Sequence, residues 1–346
     1  MLLSFHTGWE FGNENGHVMS KSLEIKNKPV LVTGGAGFIG SHLVDALLAR
    51  EAKEVVVIDN LFLGSMENLA QAQRSERLHF YREDAADLTA MDHIIAKHRV
   101  EVVFNLATKA LLYSFANPEG AFMVNVEIMR TLLYLQRKGT FQTLVHCSSS
   151  EAYGTAQIFP MDENHPYVPA TPYAAGKAAA DLMALSYAHT FQNDLTIIRP
   201  FNNYGPRQNK DRGLEAVIPL TAARLMRGEA PIIYGDGQQT RDFIYVEDTV
   251  AGLLAAYEIP ASRGQALNLA SGEEISIERV IKGICAYFKY ESKIEYREAR
   301  PADVRRHRGD IQRAKEVLGF DPKIDFEEGL RRTLDWYTKN SLSAFT

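Results

Sequence analysis

The chain has 346 residues, 46% of them hydrophobic, which is enough to bury a large core and to divide into two lobes. Its formal net charge of -5 argues against a general nucleic-acid binder, and no uninterrupted apolar run approaches the roughly 18 residues of a membrane span. Two cysteines, Cys147 and Cys285, are too few for a disulfide framework and lack metal-ligand companions, so a reducing cytoplasm is the expected setting.

Residues 1–28 are expected to form a flexible extension, because the segment mixes Asn, Gly, His and charges without the apolar core of a secretory signal, and Met19 offers an internal start. His6, His17 and the other scattered histidines show no metal-ligand spacing, so no metal is expected. An apolar strand, Val30 to Val32, then runs into Thr33-Gly34-Gly35-Ala36-Gly37-Phe38-Ile39-Gly40 and opens a helix. That is a phosphate-cradling arrangement. Gly34 permits the tight turn, Gly37 lets backbone approach a pyrophosphate, and Gly40 allows close helix-strand packing, while the helix N-terminus supplies N–H groups to the anion. The spacing is G-x-x-G-x-x-G rather than G-x-G-x-x-G. A second strand, Val55 to Ile58, ends at Asp59. A carboxylate there accepts from ribose hydroxyls and repels a 2′-phosphate, which favours NAD over NADP.

Further strand-like runs at Leu78 to Tyr81, Val102 to Leu106, Thr143 to Ser148 and Leu195 to Arg199 alternate with helical stretches such as Glu119 to Gln136. This alternation predicts an α/β fold, a Rossmann-like doubly wound parallel sheet. Ser148-Ser149-Ser150-Glu151-Ala152-Tyr153-Gly154 follows a strand and therefore sits at the carboxyl end of the sheet, where such folds bind ligands. Tyr173 and Lys177 stand four apart on one helix face. A cation there stabilises phenolate, and with a positive nicotinamide ring nearby the phenol pKa is expected to fall from about 10 toward neutrality, making a usable base. From Phe201 the rhythm breaks at Gly205-Pro206-Arg207, Tyr234-Gly235-Asp236-Gly237 and Arg300-Pro301. Residues 29–200 with about 240–262 are thus expected to form the cofactor domain, and 201–239 with 263–346 a smaller mixed α/β lobe.

These segments, with Asp59-Asn60-Leu61, Asp84-Ala85, Asn105-Leu106-Ala107, Asn125, Arg199-Pro200-Phe201-Asn202-Asn203-Tyr204-Gly205-Pro206, Gly237-Gln238-Gln239-Thr240-Arg241-Asp242-Phe243 and Arg300-Pro301-Ala302-Asp303, resemble the extended short-chain dehydrogenase/reductases, specifically the NAD-dependent nucleotide-sugar epimerase/dehydratase family. The likeness runs from about Pro29 to the C-terminus. It implies a tightly held NAD touching Gly34, Gly37, Phe38, Ile39, Gly40, Asp59, Asn60, Asp84, Ala85, Leu106, Ala107, Asn125, Tyr173 and Lys177. It also implies a nucleotide-diphosphate grip from Asn202, Arg207, Arg241 and Arg300, and a second lobe that binds the nucleotide sugar. The helices Glu119 to Gln136 and Tyr173 to Phe191, with Met183, Leu185 and Tyr187 among their apolar residues, would pair in a homodimer. Neither nucleic acid nor membrane is an implied partner.

In such enzymes Tyr173 would take the C4 hydroxyl proton while Ser149 bonds the same oxygen, and the resulting ketone acidifies C5. Glu151, with Ser150 beside it, then separates the subclasses. A carboxylate near C5 suits proton removal and loss of the C6 hydroxyl, as in a 4,6-dehydratase; a 4-epimerase is the second expectation and a uronate decarboxylase the third. Ser149-Ser150-Glu151 departs from the Thr-Asp-Glu of thymidine-diphosphate-glucose dehydratases, and Lys109 stands where many dehydratases are acidic. Arg306-His307-Arg308-Gly309-Asp310 replaces the Arg-Lys-Pro-Asp of decarboxylases, and Asp59 speaks against the NADP preference of mannose dehydratases. A non-enzymatic NAD sensor on this fold is disfavoured by the intact Ser149, Tyr173 and Lys177.

Overall fold

A computed structural model describes residues 22–209, 216–299 and 304–340. Most of the 1–28 extension, with His6, His17 and Met19, and the segment bearing Arg300 therefore lie outside the described residues. The first half reads β1 (Pro29–Thr33), α1 (Phe38–Ala49), β2 (Glu54–Ile58), β3 (Leu78–Tyr81), α2 (Leu88–His98), β4 (Val102–Asn105), α3 (Tyr113–Ala116), α4 (Pro118–Lys138), β5 (Thr143–Cys147), α5 (Pro172–Phe191) and β6 (Leu195–Pro200). The second half reads β7 (Asn202–Tyr204), α6 (Val217–Met226), β8 (Ile232–Tyr234), β9 (Thr240–Arg241), β10 (Phe243–Tyr245), α7 (Val246–Glu258), β11 (Ala266–Leu269), β12 (Ile275–Ser276), α8 (Ile277–Tyr287), β13 (Glu295–Arg297), α9 (Gln312–Leu318) and α10 (Phe326–Lys339).

Seven strands form one parallel sheet in the order β11-β6-β5-β4-β1-β2-β3. Continuous apolar runs such as Val55-Val56-Val57-Ile58 make sense here because both faces are covered. Period-two alternation sends Val30 and Val32 to a core shared with α1, α7 and α9, and Leu31 to the opposite core beneath α2, α4 and α5. The order reverses between β1 and β4, and that switch point opens a crevice beyond the carboxyl ends of the strands.

The expected lobe boundary needs correction. Ala266–Leu269, assigned to the second lobe, is the edge strand of the large sheet, and α9 packs Ala314 and Leu318 into the core under α1 and α7. At the other crossing, Ile244 faces the sheet core while Phe243 and Tyr245 join the smaller lobe. Four-residue β11 carries too little pattern to be recognised without its partner β6. The smaller lobe is built from three two-stranded pairs, β7 with β10, β8 with β13 and β9 with β12, around a core of Tyr204, Phe243, Tyr245, Ile284, Phe326 and Leu334. Among the described residues no helix is long and apolar enough to cross a membrane.

Candidate active site

The glycine turn leaves β1 with Gly34 at φ +69°, a left-handed conformation that L side chains rarely adopt. A Cβ on Gly34 would lie 2.8 Å from the Ala107 nitrogen, and one on Gly40 would lie 2.2 Å from the Gly34 carbonyl oxygen. The turn and the helix are thus packed backbone to backbone. Gly37 caps α1 with extended backbone and no capping side chain, so the first-turn N–H groups are left for a ligand.

Asp59, at the end of β2, turns back on this loop. Its carboxylate accepts from the backbone N–H of Ala36 at 3.0 Å and of Leu61 at 2.8 Å, with the N–H of Gly37 close by. Burial pushes its pKa up while these donors pull it down. A carboxylate has about four acceptor positions, so two remain, room for a ribose hydroxyl. Asp84 accepts from the Ala86 N–H at 2.9 Å and from Asn60 Nδ2 at 3.3 Å, closing this end of the crevice.

A cavity of about 820 Å³ runs from this turn across the sheet ends into the smaller lobe. Gly34, Gly37, Phe38, Ile39, Gly40, Asp59, Asn60, Asp84, Ala85, Leu106 and Ala107 line one end; Ser149, Ser150, Glu151, Tyr173 and Lys177 line the middle; Asn202, Arg207 and Arg241 line the other end. Asn125 is the exception. It is buried behind the wall, accepting from Thr108 Oγ1 at 2.9 Å and donating to the Ala121 carbonyl, so it supports the wall rather than facing a cofactor.

Tyr173 enters from the first turn of α5, which Thr171 caps and Pro172 starts. Its hydroxyl lies beside the hydroxyls of Ser149 and Thr108, both of which favour the phenolate. Thr108 is the residue the sequence reading missed, although a hydroxyl three positions past the carboxyl end of β4 was available as a signal. Burial raises the Tyr173 pKa well above its ordinary value, and the negative charge of Glu151 adds to the rise. Lys177 is itself lowered by burial and donates to the Cys147 carbonyl at 3.0 Å. The expected fall of the phenol toward neutrality is therefore not produced by the protein groups alone, because desolvation outweighs what surrounds the ring. One turn beyond Lys177, buried Asp181 pairs with Arg199 at 2.7 Å, and Arg199 donates to the Tyr153 hydroxyl at 2.7 Å, tying α5 to β6 and to the turn that carries Glu151.

At the smaller-lobe end of the cavity, Asn202 Nδ2 lies 3.3 Å from His307 Nδ1, and Arg241 donates to the Thr240 and Val304 carbonyls. Arg207 sits at φ +65° and is held by Asp45 of α1 at 2.7 Å, so part of its charge is already spent within the protein. Lys109 also lines the cavity, its ammonium 4.7 Å from the ring centres of both Phe62 and Tyr113.

The residues present fit NAD: a backbone-only turn at a helix N-terminus for the pyrophosphate and a half-satisfied carboxylate for the ribose. The sequence profile of the GDP-mannose 4,6 dehydratase family matches residues 31–333. A UDP-glucose 4-epimerase of Mycolicibacterium smegmatis is 37% identical over 90% of this chain and 99% of its own length. UDP-glucuronic acid decarboxylase 6 of Arabidopsis thaliana is 34% identical over 88% and 87%. A dTDP-glucose 4,6-dehydratase of Streptomyces venezuelae, solved with NAD, is 31% identical over 91% and 98%, with a TM-score of 0.86. The chain belongs to the GDP-mannose 4,6 dehydratase family, among the NAD-dependent nucleotide-sugar epimerases, dehydratases and decarboxylases of the extended short-chain dehydrogenase/reductase superfamily.

Proposed function

We propose that this chain is a nucleotide-sugar 4,6-dehydratase, and the observation that carries the reading is Glu151. Its carboxylate lines the same cavity as Tyr173, and its negative charge adds to the rise that burial gives the phenol's pKa. Bound NAD supplies a hydride acceptor at the sugar's C4 and a donor for the return step. Tyr173 takes the C4 hydroxyl proton, with Ser149 and Thr108 holding the oxygen in line. The C4 ketone then acidifies C5, and Glu151 removes that proton and passes it to the C6 hydroxyl, directly or through solvent, so that the hydroxyl leaves as water. The bound cofactor would supply the hydride that C6 gains, and with a proton delivered to C5 from Tyr173 or solvent the product would be a 4-keto-6-deoxy sugar. Asn202, Arg207 and Arg241 are assigned to the nucleotide diphosphate, for which guanidinium geometry suits phosphate.

A second reading, 4-epimerase, is favoured by two features. Ser150 supplies no carboxylic acid for the leaving hydroxyl, and Lys109 rather than an acid faces the cavity. A panel of nucleotide sugars analysed by mass spectrometry separates the readings: the dehydratase product has lost water, an epimerase product keeps its mass, and a decarboxylase product has lost carbon dioxide. An unchanged mass with a changed C4 configuration would replace the first reading by the second.

We also propose a homodimer through α4 and α5, whose outer faces expose Tyr134, Leu182 and Phe191. A monomer at micromolar concentration in analytical ultracentrifugation would contradict it.

A further inference from the structure

At the opposite end of the sheet from the cavity, three donors from separate elements converge. Glu54 is the first residue of β2, and strand register sets His79 of β3 beside Val56, on the same face as Glu54. His98 is the last residue of α2, the helix that covers this face. The three donor atoms lie within 4.8 Å of one another, with Glu54 Oε2 at 2.8 Å from His98 Nδ1 and 3.2 Å from His79 Nε2. We propose that Glu54, His79 and His98 form a binding site for a divalent transition-metal ion of the Zn²⁺ class, with solvent completing the coordination.

Two imidazoles and one carboxylate are a donor set for Zn²⁺, and tetrahedral ligands about 2.0–2.1 Å from the metal stand a little over 3 Å apart. The two Glu54–histidine spacings require only a few tenths of an ångström of opening. His98 Nε2 lies 2.8 Å from the Tyr81 hydroxyl, so a proton on Nε2 can be donated to that oxygen, leaving Nδ1 with its lone pair toward Glu54. His98 is 8% exposed and Glu54 19%, while His79 at 40% leaves an entry path and room for water. The negative end of α2 favours a cation at its last residue. Lys97 donates to the Tyr81 oxygen at 2.9 Å, and this cation near the cluster limits the affinity. Sequence spacing concealed the site because its ligands come from two strands and a helix; the expectation of no metal site is revised by their meeting in space.

The test uses tag-free full-length protein stripped with chelator, titrated with ZnCl₂ by calorimetry and with Co²⁺ by visible absorption. One Zn²⁺ per chain and a tetrahedral Co²⁺ spectrum are expected. Loss of about tenfold or more in affinity is expected for both His79→Ala and Glu54→Gln, each checked for an unchanged circular-dichroism spectrum. His79 is the most exposed ligand, so its replacement is the one least disturbing to the fold. No saturable binding to the native chain, or undiminished binding by folded His79→Ala, would overturn the proposal.

Discussion

Around the glycine turn, the loop packs on itself and on the ends of neighbouring strands, and the backbone itself is the recognition element: Gly34 at φ +69°, Gly40 against the Gly34 carbonyl, Asp59 at the end of β2 accepting from the Ala36 N–H. Around Asn202 and Arg241 the cavity wall is assembled from two- and three-residue strands, with partners as distant in sequence as His307 and Val304. The first half tolerates almost no change in shape, while the second is a set of side chains on short supports. That division fits a family with one cofactor and many sugars. Binding NAD sets strict backbone demands, whereas sugar and base are selected by side chains that can be exchanged.

The largest effect is expected at the junction of the two halves. Tyr173→Phe should lower turnover by about 10² or more while NAD stays bound, because the ring still packs but no proton acceptor remains. Assays of product formation alongside cofactor content check this, and substantial turnover by the variant would remove Tyr173 from the base role. Next comes Gly40→Ala, whose methyl group would meet the Gly34 carbonyl oxygen at 2.2 Å. A stability loss of about 1–3 kcal/mol and weakened NAD binding are expected. Unchanged NAD affinity by calorimetry would show that the turn is less rigid than its packing implies.

A smaller effect concerns pH at the seam between the halves. His42 on α1 bonds the Pro206 carbonyl at 2.9 Å, and burial lowers its pKa from 6.5 to about 4; buried His307 is lowered to about 3. Between pH 6.5 and about 4 the unfolded chain binds protons that the folded chain refuses, so these two groups make stability fall as pH drops. Asp242, pushed up to about 6 by burial, acts in the opposite sense between 3.8 and about 6, since its folded form holds the proton longer. The two histidines outweigh it. Urea midpoints measured from pH 7 downward should decline, each histidine contributing on the order of 1–3 kcal/mol. His42→Asn should flatten the decline, and an identical slope in that variant would refute the assignment.

The cofactor half was legible in the sequence because its constraints are local. Glycine spacing, strand ends and the Tyr173/Lys177 interval report directly on backbone geometry, and the expected strands lie within a residue or two of those observed. What escaped was whatever depends on distant pairing. Ala266–Leu269 becomes a strand only because Ile197 to Pro200 lie beside it, and Thr108 becomes part of the site only because α5 brings Tyr173 to it. Asn125 shows the converse: a motif position near the cofactor in sequence terms acts one layer back, through Thr108. The pKa of Tyr173 escaped for an energetic reason, since burial is a property of the whole fold and not of the helix that carries the pair.

The central claim is that Glu151 moves a proton on carbon, and Glu151→Gln tests it most directly. With the turned-over nucleotide sugar, the account predicts that C4 oxidation still occurs and stops there, leaving reduced nicotinamide absorbance on the enzyme and little dehydrated product. Interconversion of C4 epimers by Glu151→Gln at near the native rate, with no build-up of reduced cofactor, would contradict the account.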